Sequence, residues 1–234
     1  MLKKIICVSF LAIAVSTTAN ANDPVFMVPV GDNFLATAND VVAIKNNGDS
    51  VCGDIKSISM MGAVIKNLSI KDAAKIKYKF VPEDLKMFKW KLSKLARMVT
   101  IVDNASNSIS SAINTDYGYL CNLGYAVWDK VQDPEKESNA FLLQVLNPTY
   151  CNLLKVYATP AIITSNLKKD EVADEYIISK GGKSYLIEKK KYAKKQFAEI
   201  FGDSPDMITN YPQKKIDWDD LPKHVMEYTN LMNK

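Results

Sequence analysis

Apolar residues in this chain follow two rhythms: alternation over most of its length, and helical spacing towards its end. The change falls between Asp174 and Phe201. Asp174-Glu-Tyr-Ile-Ile-Ser-Lys180 and Lys183-Ser-Tyr-Leu-Ile-Glu188 are β-prone runs around Gly181-Gly182. Two glycines between such runs predict a hairpin with a two-residue primed turn, because glycine takes positive φ without steric cost. That turn length sets a register in which Lys180 faces Lys183, Ser179 faces Ser184, Ile178 faces Tyr185, Ile177 faces Leu186 and Tyr176 faces Ile187. Tyr176, Ile178, Tyr185 and Ile187 then share one face, and such cross-strand pairs contribute roughly 0.2–1 kcal/mol each. A lone hairpin is marginal in water, so this one is expected to add to a larger sheet.

A helix is expected from about Lys190. Ala193, Phe197, Ile200 and Phe201 fall on one stripe, and Gly202 suits the C′ position. Ser204-Pro205 reads as an N-cap with proline at N1, opening a short helix to about Tyr211. A last helix is expected from Trp218 to Met232, with Asp217, Asp219 and Asp220 near its start and Leu221, Val225 and Tyr228 on one face.

Upstream, short alternating runs predict strands at Val25–Val30, Asp40–Lys45, Ser50–Ile58, Ala63–Ile70 and Ile76–Phe80, a meander of the kind that builds a small sheet, sandwich or barrel. Val81 to Val99 reads two ways. Leu85, Phe88, Leu92, Leu95 and Val99 have helical spacing among Lys86, Lys89, Lys91, Lys94 and Arg97, which describes a basic amphipathic helix. Phe88, Trp90 and Leu92 also alternate, which describes a turn and a strand. Asn104–Asp116 and Asp129–Asn139 read as loops, and Tyr117–Trp128, Ala140–Leu146 and Tyr150–Ala158 as β-prone runs. The fold class is thus α+β: a mostly antiparallel body over residues 22–188 and a tail of short helices over 189–234, docked on it.

Residues 1–21 stand apart. Lys3 and Lys4 precede an apolar run from Ile5 to Val15, and Ala19-Asn20-Ala21 offers a small-residue cleavage site. This order of regions describes a secretory signal peptide, with an uncleaved anchor as the rival. Its loss leaves 28 basic against 26 acidic side chains, a net charge of +2, which is no nucleic-acid footprint. Arg97 is the sole arginine, which leaves almost no room for bidentate recognition of phosphate or carboxylate clusters by arginine. Export makes disulfides accessible to Cys52, Cys121 and Cys151, and an odd count leaves one without a partner. Three small buried residues in strands is the equal alternative.

Catalytic constellations are thin. No zinc-ligand spacing exists, and neither a cofactor motif nor a metal motif is present. His224, the one imidazole, reads as a surface histidine. The paired carboxylates Glu83-Asp84, Glu135/Glu137, Asp170-Glu171, Asp174-Glu175 and Asp217/Asp219/Asp220 read as helix starts and solvated loops. Lys189, Lys190, Lys191, Lys194 and Lys195 form the densest charge run and read first as a solvated face, second as a site for anionic headgroups or acidic glycans.

Several stretches together resemble an uncharacterised group of exported Bacteroidota proteins: Val41 to Lys56, Pro82-Glu83-Asp84-Leu85 before Phe88, Phe141 to Tyr157, and Tyr176 to Tyr228. The resemblance implies a β-rich body in which Phe88 to Leu92 is strand. Asn147-Pro148-Thr149 departs from the pattern, where a tighter glycine turn is expected. The resemblance carries no functional residue. The expectation is an exported, non-catalytic envelope protein that binds an unidentified envelope protein or glycan, with no nucleic acid. Its alternatives are an extracytoplasmic hydrolase using carboxylates or a Cys/His pair, and a peripheral protein of the membrane surface.

Overall fold

The computed structural model describes residues 24–30, 40–61, 64–92, 116–136, 139–159 and 173–233. They form an α+β protein in layers: a closed barrel, a three-stranded sheet, and a cover of helices. Barrel strands are β1 (Val41–Lys45), β2 (Ser50–Met61), β3 (Val64–Lys71), β5 (Leu85–Lys91), β6 (Tyr125–Gln132) and β7 (Ala140–Gln144), and β4 (Lys77–Phe80) hangs from β3. The order β2-β1-β5-β6-β7-β3 closes through a β2–β3 pairing, and every pairing is antiparallel. β2 makes closure possible by serving two neighbours. Its first residues pair with β1 and the rest with β3, with register shifts after Ile55 and Ser59 that bend the strand. At the crossover stands Gly53, where a Cβ would lie 2.2 Å from the Lys71 carbonyl oxygen. Phe88, Trp90, Trp128, Ile65 and Leu142 fill the interior, as a barrel narrower than eight strands requires.

The second sheet runs β10-β9-β8, with β8 at Leu154–Ala158, β9 at Glu175–Lys180 and β10 at Lys183–Glu188. The hairpin register is the expected one in all five pairs, and Gly181 and Gly182 both have positive φ. One face of the sheet, Tyr157, Ile177 and Leu186, packs on Val131, Leu143 and Val145 of the barrel's outer side. The other face, Val156, Tyr176, Ile178 and Ile187, packs under the helices. These are a helical run from Lys189 to Phe201, here α2; α3 (Pro205–Asn210); and α4 (Leu221–Met232). α1 (Asp116–Asn122) precedes β6. The core beneath the helices joins Ile187 to Tyr192, Phe197, Phe201, Trp218 and Val225.

Several local expectations give way. Val25–Val30 is extended coil, held by Met27 N–H to the Leu146 carbonyl (2.7 Å) and Val30 N–H to Gln144 Oε1 (2.7 Å). Leu85–Lys91 is strand, not the start of a basic helix. It lies between β1 and β6, and ladders on both edges satisfy its backbone while Phe88 and Trp90 enter the barrel. Leu95 to Val99 and the loop expected over residues 104–115 lie outside the described residues. Tyr117–Asn122 is helix, stopped at Gly124, whose φ of 85° and N–H to the Cys121 carbonyl make the left-handed cap. Asp129–Gln132 is strand and not loop, because Asp129 has a partner on the facing sheet. In the tail, Gly202 keeps helical dihedrals (φ −68°) instead of the left-handed C′ geometry. The stripe on α2 starts at Tyr192 and not Ala193, because a π turn at Tyr192–Gln196 inserts a residue into the repeat. Ser204 caps α3 through Met207 N–H, as its sequence suggests.

Candidate functional site

A polar cluster lies where the barrel meets the second sheet. Asp129 leaves the outer side of β6, Lys155 and Tyr157 come from β8, and Tyr117 comes from α1. Tyr117 Oη donates to the Asp129 carboxylate at 2.9 Å, Lys155 Nζ at 2.8 Å, and Tyr157 Oη at 3.3 Å. Lys155 Nζ also donates to the Tyr117 oxygen at 2.6 Å and stands 4.1 Å from the centre of its ring. Burial, reinforced by the Asp129 charge, pushes the Tyr117 phenol up to about 12 and Tyr157 well above its usual range. Burial works against the Lys155 ammonium, but Asp129 outweighs it and the net shift is upward. Lys155 therefore keeps its proton and pairs with Asp129, and both phenols stay neutral at neutral pH. The cluster is a tie between layers.

The two buried thiols are inert. Burial pushes Cys121 up to about 11 and Cys151, whose Sγ donates to the Pro148 carbonyl at 3.4 Å, up to about 12. A thiol so shifted is not a nucleophile at neutral pH. Cys52 is exposed on β2, and all three are free, so neither the bridge nor the three buried strand positions describes them. His224 is not on the surface: it is wholly buried in α4. Tyr211, Phe197 and Phe201 surround its ring at 4.4, 5.2 and 6.3 Å, and its Nδ1 shares a hydrogen bond of 2.8 Å with Tyr192 Oη. No cysteine is among these neighbours, so the structure does not assemble the Cys/His pair.

The carboxylates are spread out. Asp84 accepts from Val81 N–H in the turn before β5, and Asp217 accepts from Asp219 N–H ahead of α4. Glu137, Asp170 and Glu171 lie outside the described residues. Among the described residues no three His, Cys, Asp or Glu side chains come close enough to hold a metal ion, and no helix is long and apolar enough to cross a membrane. In the lysine run, Lys191 pairs with Glu188 and Lys189 lies 3.8 Å from Asp219.

The sheet edges are more informative. In β8 the even-numbered residues turn their backbone outward from β9; Leu146 N–H donates to the Val156 carbonyl at 2.8 Å, and Asn147 covers two more of these groups. Its Nδ2 donates to the Leu154 carbonyl at 2.8 Å and its Oδ1 accepts from Val156 N–H at 2.8 Å. In β10 the residues facing away from β9 are Ser184, Leu186 and Glu188, as the register dictates. Gln196 covers two of these positions. Its Nε2 donates to the Leu186 carbonyl and its Oε1 accepts from Glu188 N–H, both at 2.9 Å. Both amides are buried. The two edges differ in extent of closure. On β10 the Ser184 N–H and carbonyl and the Leu186 N–H have no partner among the described residues.

This open part of β10 is the floor of a groove of about 350 Å³, walled by Pro134 and Glu135 on the barrel side and by Lys191, Lys195, Gln196 and Glu199 on α2. A second hollow, of about 490 Å³, is bounded by Asn46, Tyr78 and Glu83. Its polar groups hold the turns together: Asn46 Nδ2 donates to the Glu83 carbonyl at 2.6 Å, and Asn46 Oδ1 accepts from Lys130 at 2.8 Å. Asp129, Lys155, Tyr117 and Gln196 were not marked by the sequence. Only Gln196 left a trace there, as a polar residue on the apolar side of a lysine-rich helix. No family model matches the chain, and no curated protein or solved structure shows significant similarity to it.

Proposed function

We propose that this is an exported, non-catalytic protein of the cell envelope that holds a partner protein by adding an extended segment of it to β10. The observation that carries the reading is the short open run of main-chain donors and acceptors at Ser184 and Leu186, at the bottom of a groove. A strand edge is a template for another strand, and main-chain hydrogen bonds supply the affinity in that mode. A glycan or lipid headgroup does not match the alternating donor–acceptor spacing. Glu135, Glu188 and Glu199 against Lys191 and Lys195 leave the groove mixed in charge, so it selects an extended backbone before it selects a charge. Export rests on the sequence of residues 1–21.

Ser184→Pro tests this. Its N–H points away from β9, so proline there removes an edge donor without removing a bond of the hairpin ladder. Protein purified from its own cells is expected to begin at Asn22 and to bring down a protein partner from envelope extract. The Ser184→Pro variant, unchanged in circular dichroism and melting temperature, is expected to lose that partner. Equal capture by both proteins would sink the reading.

A further inference from the structure

We infer that Gln196 is a latch that sets how far a partner strand can pair along β10. The inference rests on the strand-addition reading for its purpose, but its geometry stands on the fold alone. The π turn is what places the latch. Phe197 N–H bonds to the Tyr192 carbonyl, five residues back, and the inserted residue leaves Gln196 buried against the strand beside Phe197. There its amide stands in for a residue of a fourth strand, with one donor to Leu186 and one acceptor for Glu188. With the latch closed, an incoming segment bonds both groups of Ser184 and the N–H of Leu186 and stops. With Gln196 turned away, the same segment continues to Glu188. The exchange replaces two side-chain bonds with two main-chain bonds, so it costs little in hydrogen bonding.

The latch also limits pairing between two copies. Residues that oppose each other across an antiparallel edge must both turn their backbone to it. Two β10 strands centred on Tyr185 or on Leu186 therefore both need the Leu186 carbonyl, which Gln196 holds. The closed latch blocks these registers, in the way natural sheets protect their edges.

Amide exchange of the wild-type protein reads the latch without any variant. Glu188 N–H is expected to exchange about tenfold more slowly than Ser184 and Leu186 N–H, the effect of one hydrogen bond. Equal exchange at the three positions would show that no latch exists. Gln196→Ala is expected to abolish Glu188 protection and to produce concentration-dependent association in sedimentation, and adding Ser184→Pro is expected to return it to the wild-type state. Gln196→Glu, which keeps an acceptor for Glu188 but not a donor for Leu186, is expected to keep Glu188 protection. A Gln196→Ala protein that exchanges quickly yet does not associate, or associates regardless of Ser184→Pro, overturns the latch as a control of strand pairing. Envelope capture indifferent to Ser184→Pro would instead remove the partner reading and leave the latch in place.

Discussion

Replacing Asp129 with alanine is expected to destabilise the protein by roughly 2–4 kcal/mol, the range for breaking a largely buried ion pair from one side, reduced for partial exposure. Asp129 is 8% exposed and Lys155 30% exposed. The change strands the Lys155 ammonium between two layers and takes the acceptor from two phenols. Asp129→Ala combined with Lys155→Met is expected to lose less than Asp129→Ala alone, because the second change removes the uncompensated charge. Urea midpoints at constant slope measure both. A loss below about 0.5 kcal/mol for Asp129→Ala, the scale of a surface change, would show that the cluster does not tie the layers.

The second large effect is pH dependence from His224. Burial holds its imidazole down, at about 4, with Lys223 pushing the same way and Asp220, Glu227 and Asp217 opposing. The ordinary value is about 6.5. Above pH 6.5 the imidazole is neutral in both states and costs nothing. Below it the unfolded chain takes up a proton that the folded chain refuses until about pH 4. Stability is therefore lost as pH falls from 6.5 to 4, by roughly 3 kcal/mol in all. His224→Gln, which keeps an acceptor for the Tyr192 hydroxyl, is expected to show a flatter slope over that window than wild type. Carboxylates common to both proteins cancel in the comparison. Parallel slopes would mean that His224 titrates normally, and hence that the packing of Tyr211, Phe197 and Phe201 around it is looser than described.

Short-range features were legible in the sequence. The hairpin and its register follow from two glycines, and the Ser204 cap from Ser-Pro. The face shared by Leu221, Val225 and Tyr228 follows from helical spacing. Features set by distant partners were not. Leu85 to Lys91 has both periods, and only β1 and β6 on either side decide for strand. Asp129 looks like a loop carboxylate until Lys155, on another sheet, is placed 2.8 Å away. His224 follows Lys223 in sequence, which suggests the surface, but aromatic rings surround it in space. Gln196 left only its place on the apolar side of α2, and the π turn that sets its amide against β10 has no mark in the spacing. Gly124, by contrast, was a readable stop signal that separates α1 from β6.

Strand addition at β10 is tested most directly by amide exchange of the protein with and without the partner captured from envelope extract. Ser184 and Leu186 N–H, fast in the free protein, are expected to become protected on binding, while the odd-numbered amides of β10, already bonded to β9, change little. Protection confined to other surfaces, with Ser184 and Leu186 still exchanging as in the free protein, would contradict strand addition.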